Sequence, residues 1–347
     1  MNSQFRLISR LVALGVAATA AATVSGADDP PVRRSQVLTL HAGWNAVFLE
    51  VDPVNPEPDQ VFAGLPVDIA AGFFARTASA QYVTNPDANI FRRAGWGVWY
   101  GPGRPDSFLS TLHAISGQRA YLVHATDPCV WQVTGSVVRL AVRWQPDAYN
   151  LVGFAVARQG SPTFAEFFSG SRAHALNRIY RLENDAWRRV TDPTAETMRS
   201  GEAFWVYCDG SSDYQGPLRV EPPVQQGVVL LRRPEELVLR NDLGHPLTPT
   251  VELVPAEGPA VPLSLVMSGV RGAEGLVGEV SAPLPAGPWV QPLPAIEAGQ
   301  GIRLPFEARR EEVQLPRQAS LLKISTDIGT EDWIPVICLR QDLEEQQ

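Results

Sequence analysis

Trp99 and Tyr100 stand side by side, with Trp96, Tyr82, Asn85, Asp87, Asn89 and Arg104 close to them in the chain. Aromatic rings on a rigid backbone stack on sugar faces at small entropic cost, and amide, carboxylate and guanidinium groups hydrogen-bond sugar hydroxyls. The chemistry offered is carbohydrate binding. Neighbouring residues of a strand point to opposite faces, so one of Trp99 and Tyr100 must point away from the core. The outward ring, beside Gly101-Pro102-Gly103, is the expected ligand contact.

Other chemistries find less support. Asn85, Asp87 and Asn89 alternate, as do Asp209, Ser211 and Asp213, and alternate oxygens can wrap a calcium ion. The sixth positions are Ile90 and Tyr214 rather than Gly, and the twelfth are Trp96 and Val220 rather than Glu. Turn chemistry accounts for both runs, and no metal site is expected. The chain lacks a Gly-x-Ser-x-Gly elbow, a His-Glu-x-x-His pair and a Gly-Lys-Ser/Thr loop. Gly95-Trp96-Gly97 opens no helix, so a nucleotide fingerprint fails on context. His41, His113, His124, His174 and His245 are scattered, and no cofactor is implied. A glycosidase needs only two carboxylates roughly 5 to 10 Å apart. Asp106, Asp127 and Asp192 are candidates, so a glycoside hydrolase stays as an alternative reading.

The elements that would carry these residues are written twice. Gly43-Trp44-Asn45-Ala46-Val47 is answered by Ala148-Tyr149-Asn150-Leu151-Val152. Ser116-Gly117-Gln118-Arg119-Ala120-Tyr121-Leu122-Val123 is answered by Ser200-Gly201-Glu202-Ala203-Phe204-Trp205-Val206 with a one-residue gap. Repeated units usually stack to bury faces that neither can bury alone. Two β modules are expected, 37–137 and 139–221, with one or two helical turns at matching points, Pro58 to Phe62 and Thr163 to Phe168. Trp44, Tyr149, Trp187 and Trp205 sit at repeated positions and are expected in the core. The first copy is longer between Phe74 and Trp96, and extra loop in one copy of a repeat is where specialisation is cheapest to build.

Glu221-Pro222-Pro223 marks a boundary. Beyond it, about seven short strands over 224–340 have the rhythm of an immunoglobulin-like β-sandwich. The expected class is all-β: two duplicated modules plus this sandwich. The opening and closing motifs resemble tandem modules of exported bacterial proteins, which open with Gly-Trp-Asn-Leu-Val-like strands and close with Gly-x-Ala-Tyr-Trp-Val-like strands. Ala46 stands where Leu is usual, and Tyr149 where Trp is usual. The resemblance covers about Val37 to Val220. It implies a β-rich surface or periplasmic module, often fused to other β domains, and no catalytic residues.

Residues 1–27 read as a secretory signal peptide: Arg6 and Arg10, an apolar run from Leu11 to Val24, then Ser25-Gly26-Ala27. The run is too short for a membrane span, and no longer one follows. Loss of Arg6 and Arg10 takes the net charge from −8 to about −10, which speaks against nucleic acid, whose binding requires neutralised phosphates. Three cysteines are few for an oxidising compartment. Cys129 and Cys208 each follow a closing strand, which allows a bridge between them and leaves Cys338 unpaired. These features lead to a non-catalytic exported protein, periplasmic, cell-surface or extracellular, that binds a surface protein or glycan or plays a structural role. The carbohydrate reading places the ligand on the aromatics of the first module.

Overall fold

The computed structural model describes residues 32–74, 95–271 and 277–340. They form five sheets whose pairing is almost wholly antiparallel, with two short helices. The all-β expectation holds because short apolar runs punctuated by Gly and Pro bury one face of a strand without the length a helix needs.

The first part comprises β1 (Arg33–Leu40), β2 (Gly43–Leu49), β3 (Val51–Pro53), α1 (Pro58–Val61), β4 (Val67–Phe73), β5 (Trp96–Tyr100), β6 (Arg119–Ala125) and β7 (Cys129–Val137). A three-stranded sheet, β1-β7-β3, faces a four-stranded one, β2-β6-β4-β5. Between them lie Leu40, Leu49, Val51, Phe62, Trp99, Tyr121, Val123 and Trp131. Alternation along β7, from Trp131 to Val133, sends one side chain in two to this core.

The second part comprises β8 (Ala148–Gly153), α2 (Phe164–Phe168), β9 (His174–Glu183), β10 (Ala186–Arg189) and β11 (Ala203–Cys208). They make one sheet, β8-β11-β9-β10. Its inner face packs on Phe164, Phe167 and Phe168 of α2 and on Trp144 and Phe154. Thr163 starts α2 with a capping box: its Oγ1 accepts from Glu166 N–H at 3.2 Å, and its own N–H donates to the Glu166 carboxylate at 2.8 Å. A five-residue helix has little cooperativity of its own. Thr163→Ala is therefore expected to cost about 1 kcal/mol, read as a lowered urea midpoint at unchanged slope.

In each four-stranded sheet the opening strand pairs with the closing strand, followed by the two middle strands in sequence order. Asn45 and Asn150 do the same work in the two opening strands. Asn45 Nδ2 donates to the Gly43 and His41 carbonyls, and its Oδ1 accepts from His41 N–H at 3.0 Å. Asn150 Nδ2 donates to the Ala148 and Gln145 carbonyls, and its Oδ1 accepts from Gln145 N–H at 2.8 Å. Each is a buried amide that satisfies the backbone of the turn leading into its strand.

The outer faces of these two sheets meet. Ala71, Val98 and Leu122 are buried against Trp44, Trp96 and Tyr100 from the first part and Leu151, Leu182 and Trp187 from the second. Trp205 meets Phe73 at 5.6 Å and Trp96 at 6.3 Å between ring centroids. Phe48 N–H donates to the Gly201 carbonyl at 2.8 Å across this seam. Trp44, Trp187 and Trp205 are thus half-buried members of an interface rather than of a module core, and Tyr149 is exposed. Strand alternation fixes this outcome, since their neighbours Asn45, Phe204 and Val206 point the other way and are buried.

Ten strands follow: β12 (Leu218–Glu221), β13 (Val228–Leu230), β14 (Glu235–Asn241), β15 (Pro249–Glu257), β16 (Leu263–Arg271), β17 (Val277–Pro283), β18 (Trp289–Pro292), β19 (Gly301–Ala308), β20 (Arg317–Thr326) and β21 (Glu331–Leu339). Two five-stranded sheets, β12-β14-β19-β16-β17 and β13-β21-β20-β15-β18, enclose one apolar core. β12 precedes Glu221-Pro222-Pro223 but already pairs with β14. An antiparallel bridge between Val156 and Thr330 fastens this part to the second.

Cys129, Cys208 and Cys338 are free thiols, so the bridge allowed between Cys129 and Cys208 is not formed. Cys129 packs at the margin of the first core, while Cys208 is buried in the second, its thiol directed at the Gly210 carbonyl. Burial raises all three thiols above their ordinary pKa.

Candidate functional site

Of the residues singled out for sugar binding, Tyr82, Asn85, Asp87 and Asn89 lie outside the described residues. Trp99 is the inward member of its pair. α1 lies over that face of the sheet, so the Trp99 ring stacks on Phe62 at 5.0 Å and its Nε1 donates to Asp59 at 2.7 Å. With 5% of its surface exposed, it is a core residue. Tyr100 is the outward ring, but the seam half-buries it. The Arg104 guanidinium lies 5.7 Å from its centroid. Arg104 is itself held by Asp68 at 2.7 Å and Asp106 at 2.9 Å, and Asp68 also meets His124 Nδ1 at 2.5 Å. Burial acts to raise the Asp68 carboxyl, but the bonds from His124 and Arg104 outweigh it and hold the group below its ordinary value. Trp99 and Arg104 therefore serve to close the sheet and brace the loop after β5.

The three carboxylates considered for hydrolysis do not converge either. Asp106 belongs to the Arg104 cluster. Asp127 accepts from the Thr126 hydroxyl, and Asp192 caps a turn through the N–H groups of Thr194 and Ala195.

A groove of about 1150 Å³ lies where the first, second and third parts adjoin. Its acidic residues include Glu50, Glu331 and Asp332. Glu50 is 6% exposed and takes the Arg34 guanidinium, with Gln36 Nε2 at 3.4 Å. Burial pushes its carboxyl above the ordinary value, and Arg34 offsets this only partly. Glu331 adds to the upward shift through its charge, yet it is bound to Lys323 at 2.9 Å. Asp332 holds Arg139, whose other terminal nitrogen donates to the Val220 carbonyl at 2.8 Å. The Arg34 guanidinium also stacks on Trp333, 4.6 Å from its centroid. Two of these arginines reach between parts: Arg34 on β1 joins Glu50, just after β2, to Trp333 on β21, and Arg139 ties the linker after β7 to β12 and β21.

No protein-family model matches the chain, and no curated protein matches it in sequence. A general acid needs a raised pKa and an open path to substrate. Glu50 has the first, but Arg34 and Gln36 occupy its oxygens. Among the described residues no three His, Cys, Asp or Glu side chains gather to hold a metal ion.

A second charged network lies on the second part. Arg181, 2% exposed, makes a two-pronged contact with Glu202 at 3.0 and 2.6 Å and also reaches Glu196 at 3.5 Å. Arg188 bridges Glu196 and Glu183, and Arg199 also takes Glu183. The Arg188 contact, with backbone N–H groups of Thr191 and Asp192, holds Glu196 down at about 2. No motif announced this network, because its members are brought together only by the register of β9, β10 and the loop before β11.

Proposed function

We propose that this chain is an exported, non-catalytic binding or structural protein of the cell surface, periplasm or extracellular space, with a surface protein or glycan as its partner. It consists of two related β modules and a C-terminal immunoglobulin-like sandwich. The shared strand order, the matching helical turns α1 and α2, and the common role of Asn45 and Asn150 support the duplication. Two facing sheets around one core support the sandwich.

The observation that carries the functional reading is the use made of the groove's carboxylates. Glu50, Glu331 and Asp332 each hold a cation of the same chain, and the Arg139–Asp332 pair, with the stacking of Arg34 on Trp333, fastens one part to another. Partly buried, hydrogen-bonded pairs of this kind fix geometry rather than donate protons. The hydrolase alternative draws on the raised Glu50 carboxyl beside Glu331.

Incubation of the purified chain with a panel of polysaccharides and peptides separates the two readings. The expected outcome is no turnover, together with loss of stability in Glu50→Gln. Turnover abolished by Glu50→Gln or Glu331→Gln in a folded variant would overturn the non-catalytic reading.

A further inference from the structure

One face of the second part's sheet is only half covered. Leu151, Leu182, Trp187 and Trp205 meet the first part across the seam. The same face continues past them to Tyr180 and Tyr207, which are half-buried, and to Tyr149, which is exposed. Tyr207 on β11 lies directly opposite Tyr149 on β8, and Tyr180 on β9 lies directly opposite Trp205 on one side and Arg189 on the other. Arg178 stands two residues before Tyr180 and so shares its face. The sheet thus gathers Tyr149, Tyr180, Tyr207, Arg178 and Arg189 from four strands.

Their packing makes a prepared surface. Tyr149 meets Tyr207 at 5.1 Å and Tyr180 at 5.7 Å, both edge to face. The Arg178 guanidinium lies on the Tyr207 ring, 4.4 Å from its centroid. Stacking pins a guanidinium without consuming its N–H donors. Tyr149 keeps 40% of its surface exposed, and Arg178 and Arg189 are exposed.

The arginines differ from their neighbours in one decisive respect. Arg181, Arg188 and Arg199 are all engaged by Glu183, Glu196 or Glu202. Arg178 and Arg189 have no carboxylate partner among the described residues, although the chain carries 37 acidic residues against 29 basic ones. Two cations without a carboxylate partner among the described residues, set beside three phenols on one sheet face, present a local site for an anion.

We infer that this patch binds an acidic polysaccharide, one whose pyranose rings carry uronic carboxylates. The Tyr149 ring offers an apolar face for sugar C–H groups, and the phenol hydroxyls exchange hydrogen bonds with sugar hydroxyls. The planar Arg178 and Arg189 forks match carboxylates, with charge-assisted bonds stronger than neutral ones. Tyrosines loaded on a rigid sheet lose little conformational entropy on binding. A bare acidic peptide would use the arginines and leave the aromatic surface unexplained. The inference rests on the binding reading given above and moves its ligand surface from the first module to the second.

Affinity electrophoresis of the full chain in gels containing alginate or polygalacturonate tests it, with dextran and poly-glutamate as comparators. Both acidic polysaccharides should retard the protein, increasingly so at low salt. The double variant Arg178→Gln/Arg189→Gln and, separately, Tyr149→Ala should each weaken retention by roughly tenfold or more. All three side chains are exposed or half covered, so unchanged urea midpoints should accompany these losses. Migration unaltered by either polysaccharide, equal retention by poly-glutamate or dextran, or variants that bind like the wild type would each overturn the assignment. Those results leave the non-catalytic reading standing, whereas depolymerisation of alginate would overturn that reading instead.

Discussion

Gly153→Val is expected to destabilise the protein by about 3 kcal/mol, read as a large drop in urea midpoint. Gly153 ends β8 where the two four-stranded sheets touch. A Cβ at this position would stand 2.3 Å from Phe48 Cβ, 2.5 Å from Phe48 Cγ and 2.8 Å from the Glu202 carbonyl oxygen. The atoms in the way are the root of a buried side chain and a backbone carbonyl, neither of which can swing aside as the tip of a flexible side chain could. Phe48 is held by its N–H bond to Gly201 and by a neighbouring bridge between Val47 and Glu202. The strain must therefore be relieved by prising β2 from β8 and β11, which uncovers the Trp96, Trp187 and Trp205 rings. Gly103→Ala is the matched comparison, because nothing lies within 4 Å of its Cβ and its φ is not in the left-handed region. It should stay within about 0.5 kcal/mol of the wild type. Equal midpoints for the two variants would show that the sheets do not meet closely at Gly153. Tryptophan emission supplies a second readout, since opening the seam exposes three indoles to water.

The seam also shows what the sequence carries and what it withholds. Both opening strands, both closing strands and both helical turns fall where turn residues and the repeated landmarks place them. The seven strands expected after Pro223 correspond to β13, β14, β15, β16, β19, β20 and β21. β12, β17 and β18 escape notice. β12 sits before the proline pair that reads as a boundary, and the other two are interrupted by Gly, Pro or charged residues, which weaken the strand pattern. The rule that one of Trp99 and Tyr100 must face outward is sound, but alternation alone does not say which. That choice is made by α1, which brings Phe62 and Asp59 to the Trp99 side.

Residues that meet through pairing register are harder still to foresee. Arg178, Arg189, Tyr149 and Tyr207 are spread over some sixty positions and form one surface only once β8, β11, β9 and β10 are aligned. Arg34 and Glu50, sixteen residues apart, meet because Glu50 lies between β2 and β3, where the Gln36 side chain of β1 holds its N–H. The repeated sequence landmarks fall on the opening and closing strands of the two four-stranded sheets. They directed attention to the longer segment between Phe74 and Trp96, most of which lies outside the described residues, while the exposed Tyr149 surface belongs to the β8-β11-β9-β10 sheet.

Between pH 7 and pH 4.5 the wild type is expected to lose about 2 to 3 kcal/mol that His174→Leu does not lose. His174 opens β9 and is 4% exposed, with its ring 3.9 Å from Trp144, 5.2 Å from Phe168 and 5.7 Å from Tyr214 between centroids. Neither ring nitrogen has a hydrogen-bond partner among the described residues. Burial alone pushes its pKa down to about 4, from an ordinary 6.5. The folded ring is thus neutral in the interval where the unfolded ring already binds a proton. Stability falls as pH falls through 6.5, and the loss levels off below about 4, where the folded ring protonates as well. Leucine fills much of the same space, carries no proton and leaves no nitrogen unsatisfied. It should match or exceed the wild type at pH 7 and gain on it steadily toward pH 4.5. Urea midpoints of both proteins at the two pH values isolate this contribution, because every other titrating group is common to them. A difference that stays flat across the interval would mean that the folded ring takes up its proton as readily as the unfolded one, which a cage of Trp144, Phe168 and Tyr214 does not allow.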